Sequence, residues 1–111
     1  MLLLTKELQE ILPGLGEQDG KGDDAVAYAK FFTPDSNWTW YVTEYDPTER
    51  LCFGLVDGIT RELGYFSLNE LESVKGPLGL PIERDLYFEP TRLGDLRRDV
   101  YCPSTRLGDL R

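Results

Sequence analysis

Carboxylates are the residues of this chain best suited by type to do chemistry. Glu44 and Asp46 close an aromatic run, and Glu83 and Asp85 flank Arg84. Two carboxylates suffice for glycoside hydrolysis, one donating a proton while the other attacks or activates water. Sequence spacing puts neither pair across a cleft, and ordinary surface pairing of arginine with carboxylates explains them better. The chain has no histidine, which removes the Ser-His-Asp triad, the Cys-His pair and most zinc sites. Cys52 and Cys102 are the only cysteines, and Cys52 lies in an apolar stretch expected to bury its thiol. Gly14, Gly16, Gly20 and Gly22 suggest a phosphate loop, yet the Walker spacing fails and Lys21 is followed by Gly22 where Ser or Thr is needed. Asp19, Asp23 and Asp24 suggest part of a calcium loop, but Lys21 stands at a ligand position and Lys30 where a bidentate Glu is required. A solvated acidic loop is the expectation there. No catalytic residue, metal or cofactor is assigned.

The elements that must position these groups fit one domain. The chain has 111 residues, with 20 acidic and 12 basic side chains and a net charge of −8. So acidic a surface repels phosphates unless its cations cluster, and the adjacent Arg97 and Arg98 are flanked by Asp95 and Asp99. Direct nucleic-acid binding is not expected. The acidity serves solubility or a basic partner. The apolar start, Met1 to Leu4, is cut short by Thr5, Lys6 and Glu7, unlike a signal peptide. No run approaches the ~20 apolar residues of a membrane span. A reducing, cytoplasmic setting is expected.

Thr5 is a candidate N-cap for a short helix carrying Leu8, Ile11 and Leu12, ended by Pro13-Gly14. Residues 13–24 read as an exposed loop. Residues 25–33 read as a strand, leading to a Pro34-Asp35 turn. Trp38, Trp40 and Val42 alternate with Thr39, Tyr41 and Thr43, a period of two in β-favouring residues. Leu51, Phe53 and Leu55 mark a third strand and Leu63 to Phe66 a fourth, joined by an Asp57-Gly58 turn in which glycine is expected to take a positive φ. Ser67-Leu68-Asn69-Glu70 is a capping box that starts a helix with Leu68 and Leu71 inward. Leu78, Leu80 and Ile82 suggest a Gly/Pro-rich loop pinned to the core. The fold class is α+β: a small, mainly antiparallel sheet of three to five strands with the 5–12 and 67–74 helices packed on it.

If Trp38, Trp40 and Val42 face the core, Tyr41, Thr43 and Tyr45 face out. If Leu51, Phe53 and Leu55 also point in, Gly54 lies on the outer face, joined by Gly64. Glycines beside tyrosines would leave a shallow groove with aromatic walls, a good surface for a partner. The alternative is that helices cover both faces and these tyrosines are core.

Residues 84–97 recur almost unchanged as 98–111: ten of fourteen positions match and the last seven are identical. One reading is a tandem duplication that leaves a domain at 1–97 and a redundant tail. The other is a second strand-and-turn unit that pairs with a neighbouring chain. Without the second copy, residues 1–97 still hold 18 acids against 9 bases, so the acidity belongs to the domain.

The blocks Phe31-Phe32-Thr33-Pro34, Trp38 to Glu44, Phe53 to Gly58, Glu62 to Ser67 and Gly76 to Asp85 together resemble the bacterial family called domain of unknown function 2958, over about residues 1–97. The resemblance implies no activity, catalytic residue or cofactor. It implies a setting on plasmids and other mobile elements. The expected function is a non-enzymatic module that binds a protein partner, as a monomer or weak homodimer, through Tyr41, Tyr45, Glu44, Gly54, Gly64, Glu83, Arg84 and Asp85. The alternatives are an acidic DNA mimic that occupies a host defence protein and a small carboxylate hydrolase.

Overall fold

In the computed structural model, which describes residues 3–100, Thr5 caps the first helix, α1 (Lys6–Ile11), by accepting the Leu8 N–H through its hydroxyl. Leu12 is buried, but Ile11, expected inward, is exposed. The helix ends at Ile11 and Leu12 is its extended C-cap, so the face shared by positions 8, 11 and 12 is not continued to its third member. Leu3 and Leu4 are buried in the main core, so the apolar start is a packing element.

Seven strands follow: β1 (Val26–Ala27), β2 (Ala29–Phe32), β3 (Thr39–Asp46), β4 (Leu51–Asp57), β5 (Arg61–Ser67), β6 (Glu83–Arg84) and β7 (Thr91–Arg92). Five form an antiparallel sheet in the order β5-β4-β3-β2-β6, and β1 pairs with β7 in a separate two-stranded unit. The strand expected over 25–33 is thus split at Tyr28 and serves both sheets. Helix α2 (Leu68–Ser73) begins at the foreseen box: the Ser67 hydroxyl accepts the Glu70 N–H, and Leu68 and Leu71 are buried. A third helix, α3 (Leu93–Val100), was not foreseen. It runs across the junction between the two repeat copies, so residue 97 is not a break in secondary structure. The rest of the second copy, 101–111, lies outside the described residues.

The fold class holds, but the facing of the strands differs from the expectation. Trp40 pairs with Val56, Tyr41 with Leu55 and Val42 with Gly54. Paired residues share a face, so Trp40 and Val42 lie with Cys52, Gly54 and Val56, whereas Leu55 lies with Tyr41. Both faces carry core. The larger cluster includes Leu3, Phe31, Trp40, Val42, Tyr45, Cys52, Phe66 and Leu68. The smaller, on the opposite face, holds Ala25, Ala27, Leu55, Leu93 and Leu96, with Tyr41 and Phe88 against it. Apolar residues on both sides of a strand leave no single outward set.

The register slips between Val42 and Glu44, where Thr43 is an extra, unpaired residue. This bulge reverses the alternation. Tyr45, expected outside, therefore turns into the main core and is 3% exposed. Gly54 permits the bulge, since a Cβ there would collide with the Tyr41 carbonyl oxygen. At the β4–β5 turn Gly58 has no positive φ. Its need for glycine is the Trp38 ring, which occupies the space a Cβ would take. Burial desolvates the Cys52 thiolate and pushes that thiol up to about 12.

Two charged contacts tie the sheet to its surroundings. Arg50, at φ 51°, forms a two-pronged pair with Glu72 of α2 at 3.1 Å on each prong and also bonds Asn69. Its hydrogen bond to Glu72, then one to Tyr45, raises the guanidinium pKa further. Asp35 holds the 76–80 loop by accepting the Leu78 N–H at 2.8 Å. Of the leucines and isoleucine expected to pin that loop, Ile82 alone is buried, while Leu78 and Leu80 are exposed.

Candidate functional site

Residues 13–24 are less free than the exposed loop expected from their glycines and acids. The Glu44 carboxylate, 5% exposed, accepts the N–H groups of Gly16 and Gln18, each at 2.8 Å. Gln18 is buried and its amide substitutes for a strand. Its Nε2 donates to the carbonyls of Val26 (2.9 Å) and Thr43 (2.8 Å), and its Oε1 accepts the Val26 N–H at 2.7 Å. The bulged Thr43 carbonyl thereby gains a donor that no strand supplies. Nothing in the composition of a Gly-rich acidic loop marks this role. Gln18 as the one amide between Glu17 and Asp19 is the only local signal.

These anchors form one wall of a hollow of about 210 Å³. Its other walls are Phe53, Leu63, Tyr65, Ala25 and Leu93, with Glu44 and Thr43 at the bulge. Glu44 makes no ion pair with any described residue, so it is a buried carboxylate held by backbone donors alone. The Phe53 and Tyr65 rings pack at 4.8 Å between centroids, yet Tyr65 remains 65% exposed and Leu63 46% exposed. Both lie on β5, seven residues long and the terminal strand of the sheet. Its outer row of backbone donors and acceptors faces no further strand among the described residues. Gly64, at its centre, has open space where a Cβ would stand.

The groove drawn from sequence is not assembled. Tyr41 lies under Phe88 at 5.9 Å and beside Lys30, whose Nζ is 5.9 Å from the ring centre. Tyr45 is on the other face, in the core. Gly54 and Gly64 do pair directly, but Gly54 is buried on the Val42 side and opens no groove. The bulge and the two-sided core are the physical reasons. Glu44 lines the hollow beside Leu63 and Tyr65, whereas Gly64 between them is not part of its lining. Glu83, Arg84 and Asp85 sit at the opposite end of the sheet. Arg84 donates to the Leu3 carbonyl at 3.0 Å, and Asp85 pairs with Lys30 at 3.7 Å. They line a different hollow, with Phe32, Leu86 and Tyr87, so Glu44 and the 83–85 acids do not converge. Sequence reasoning missed Leu63 and Tyr65, because it placed Leu63 to Phe66 in a strand without asking whether that strand was an edge.

A third hollow, of about 360 Å³, lies between the stacked Trp38 and Trp40 and the Val74 to Pro77 segment. No helix among the described residues is long and apolar enough to cross a membrane.

The family model described as "Protein of unknown function (DUF2958)" matches residues 3–95. The chain belongs to that family. The match covers every strand and stops within α3, so the β5 edge and the Glu44 hollow lie inside the DUF2958 region. No curated protein matches the chain, and no solved structure does.

Proposed function

We propose that this DUF2958 domain is a protein-binding module that receives an extended segment of a partner along β5. The observation that carries the reading is the open edge of a five-stranded sheet bearing exposed Leu63 and Tyr65 above a hollow floored by Glu44. An added strand would satisfy the free backbone groups, while alternate side chains of the segment would meet Leu63 and Tyr65. Long exposed edges invite unwanted pairing and are usually blocked by charge or proline. Here Gly64 and two apolar side chains occupy the middle of the edge instead.

The chemistry of the surroundings favours a basic segment. Glu17, Asp19, Asp23 and Asp24 are exposed on the loop beside the hollow, and the whole chain carries −8. A lysine or arginine of the segment entering the hollow beside the packed Phe53 and Tyr65 rings would meet aromatic surface and the Glu44 carboxylate, which has no ion-pair partner among the described residues. A setting on a mobile element, in a bacterial cytoplasm, is part of this proposal and rests on the family resemblance. The same exposed acids support the DNA-mimic reading, in which they take the place of phosphates toward a basic host protein. The hydrolase reading loses ground because its carboxylates line separate hollows.

The test is affinity capture from the protein's own cells with the native chain and with a Leu63→Asp/Tyr65→Asp variant. Both side chains are already exposed, so the variant should fold. A partner lost with the variant and weakened but still captured by a Glu17→Gln/Asp19→Asn control supports strand docking of a basic segment. A partner lost with the control and retained by the edge variant supports mimicry.

A further inference from the structure

The last part of the described chain is held in a seat whose occupant occurs twice in the sequence. Thr91 and Arg92 pair with Ala27 and Val26 of β1. Arg92 reaches Asp24 at 3.0 Å and Asp95 at 3.5 Å. The Leu93 N–H donates to the Ala25 carbonyl at 2.8 Å. Leu93 and Leu96 are buried with Leu55, Ala25 and Ala27. Position 94 suits glycine, because a Cβ there would lie 2.9 Å from the Asp23 Cβ and 3.3 Å from its carbonyl oxygen.

Residues 105–111 repeat residues 91–97 without a change. The differences between the copies all fall upstream, at Leu86/Val100, Phe88/Cys102, Glu89/Pro103 and Pro90/Ser104. The identical stretch is therefore the stretch that the seat grips. Arg106, Leu107, Gly108, Asp109 and Leu110 supply every group that Arg92 to Leu96 supply: the cation for Asp24, the missing Cβ against Asp23, the carboxylate beside the arginine and both leucines.

We propose that the seat accepts either copy, residues 105–110 displacing 91–96 from β1 and the Asp23-Asp24 turn by a slip within one chain. Over the seven identical residues the two registers offer the same groups to the seat, and they differ in the linker. With the first copy seated, Glu89-Pro90 alone join Phe88, which packs on Tyr41, to Thr91. After the slip, residues 89–104 form that connection, a roughly eightfold longer loop. Closing probability falls as about the −3/2 power of loop length, which makes the slipped register about twentyfold rarer. The first copy therefore holds the seat. A copy from another molecule competes still less well at micromolar concentration, because a tethered segment acts at an effective concentration nearer millimolar. The consequence is redundancy: damage to the first copy transfers the seat to the second.

The experiment is urea unfolding of the full chain carrying Leu93→Asp, Leu107→Asp or both. Leu107→Asp alone leaves the unfolding constant unchanged. Leu93→Asp raises it about twentyfold, the limit set by the longer loop. The double variant raises it at least tenfold more, because no intact copy remains. The proposal is overturned if Leu93→Asp alone is as damaging as the pair, including the case in which neither folds. It is also overturned if the stability of Leu93→Asp rises with protein concentration, which would mean that the replacement copy comes from a second molecule.

Discussion

Gly54 lies against the carbonyl oxygen of Tyr41, with no room between them for a side chain. The β3 bulge at Thr43 brings the two together, and the bulge is also what turns Tyr45 into the core and Glu44 toward the loop. Gly54→Ala should therefore destabilise the domain by about 3 kcal/mol or more, since backbone rather than a flexible side chain must give way. Gly64→Ala, directly across the β4–β5 ladder, meets nothing within 4 Å and should change stability by less than about 1 kcal/mol. Urea denaturation of the two variants measures the difference.

Gln18 replaces a missing strand between β1 and the bulge, so its loss should exceed that of an ordinary loop residue. Gln18→Ala removes three hydrogen bonds and strands the Thr43 carbonyl in a buried position. An expected cost of about 2–4 kcal/mol follows from leaving buried groups unsatisfied. Gln18→Glu keeps the length but offers acceptors where the Val26 and Thr43 carbonyls need donors, and should be no better than alanine. Loss of amide protection at Gly16 and Val26 in hydrogen exchange would locate the damage.

Much of this fold can be read from local chemistry and the rest from pairing. The Thr5 cap, the Ser67 box and the antiparallel strands around Trp40, Phe53 and Phe66 follow from residue type and short connections. The faces do not. Alternation of Trp38, Trp40 and Val42 predicts one buried side only while the period is unbroken, and Thr43 breaks it. Leu55 and Cys52 are both buried, one on each face, so hydrophobicity alone gives them the same assignment. Helix α3 was missed because attention to the repeat put a boundary at residue 97, inside the helix. The candidate site was legible in part: Glu44 lines the hollow and Gly64 lies on the β5 edge, whereas Tyr41, Tyr45 and Gly54 belong to neither. Its most exposed members, Leu63 and Tyr65, become visible only once β5 is known to be the terminal strand.

Cys52 makes stability sensitive to alkaline pH in a defined direction. Its thiol is pushed up to about 12 from 9.0 because burial desolvates the thiolate. The folded state then holds a proton that the unfolded chain has released, so stability is intact below pH 9 and falls as pH rises from about 9 toward 12. The contribution at pH 10 relative to pH 8 should be about 1 kcal/mol. Comparing urea midpoints of Cys102→Ser with Cys52→Ala/Cys102→Ser at both pH values isolates it: the first should lose more stability than the second. Equal losses would mean that the Cys52 thiolate is not excluded from the fold.

Docking along β5 places the partner against Tyr65, where a photoreactive side chain can capture it. Placed there in the full chain and irradiated in the protein's own cells, it should give one discrete adduct with a protein, joined through a segment rich in lysine or arginine. The same side chain at Ile11, which is exposed at 53% but lies off the edge, should give none. A discrete adduct from position 11 with none from position 65 would rule out docking on β5 and move the binding surface elsewhere.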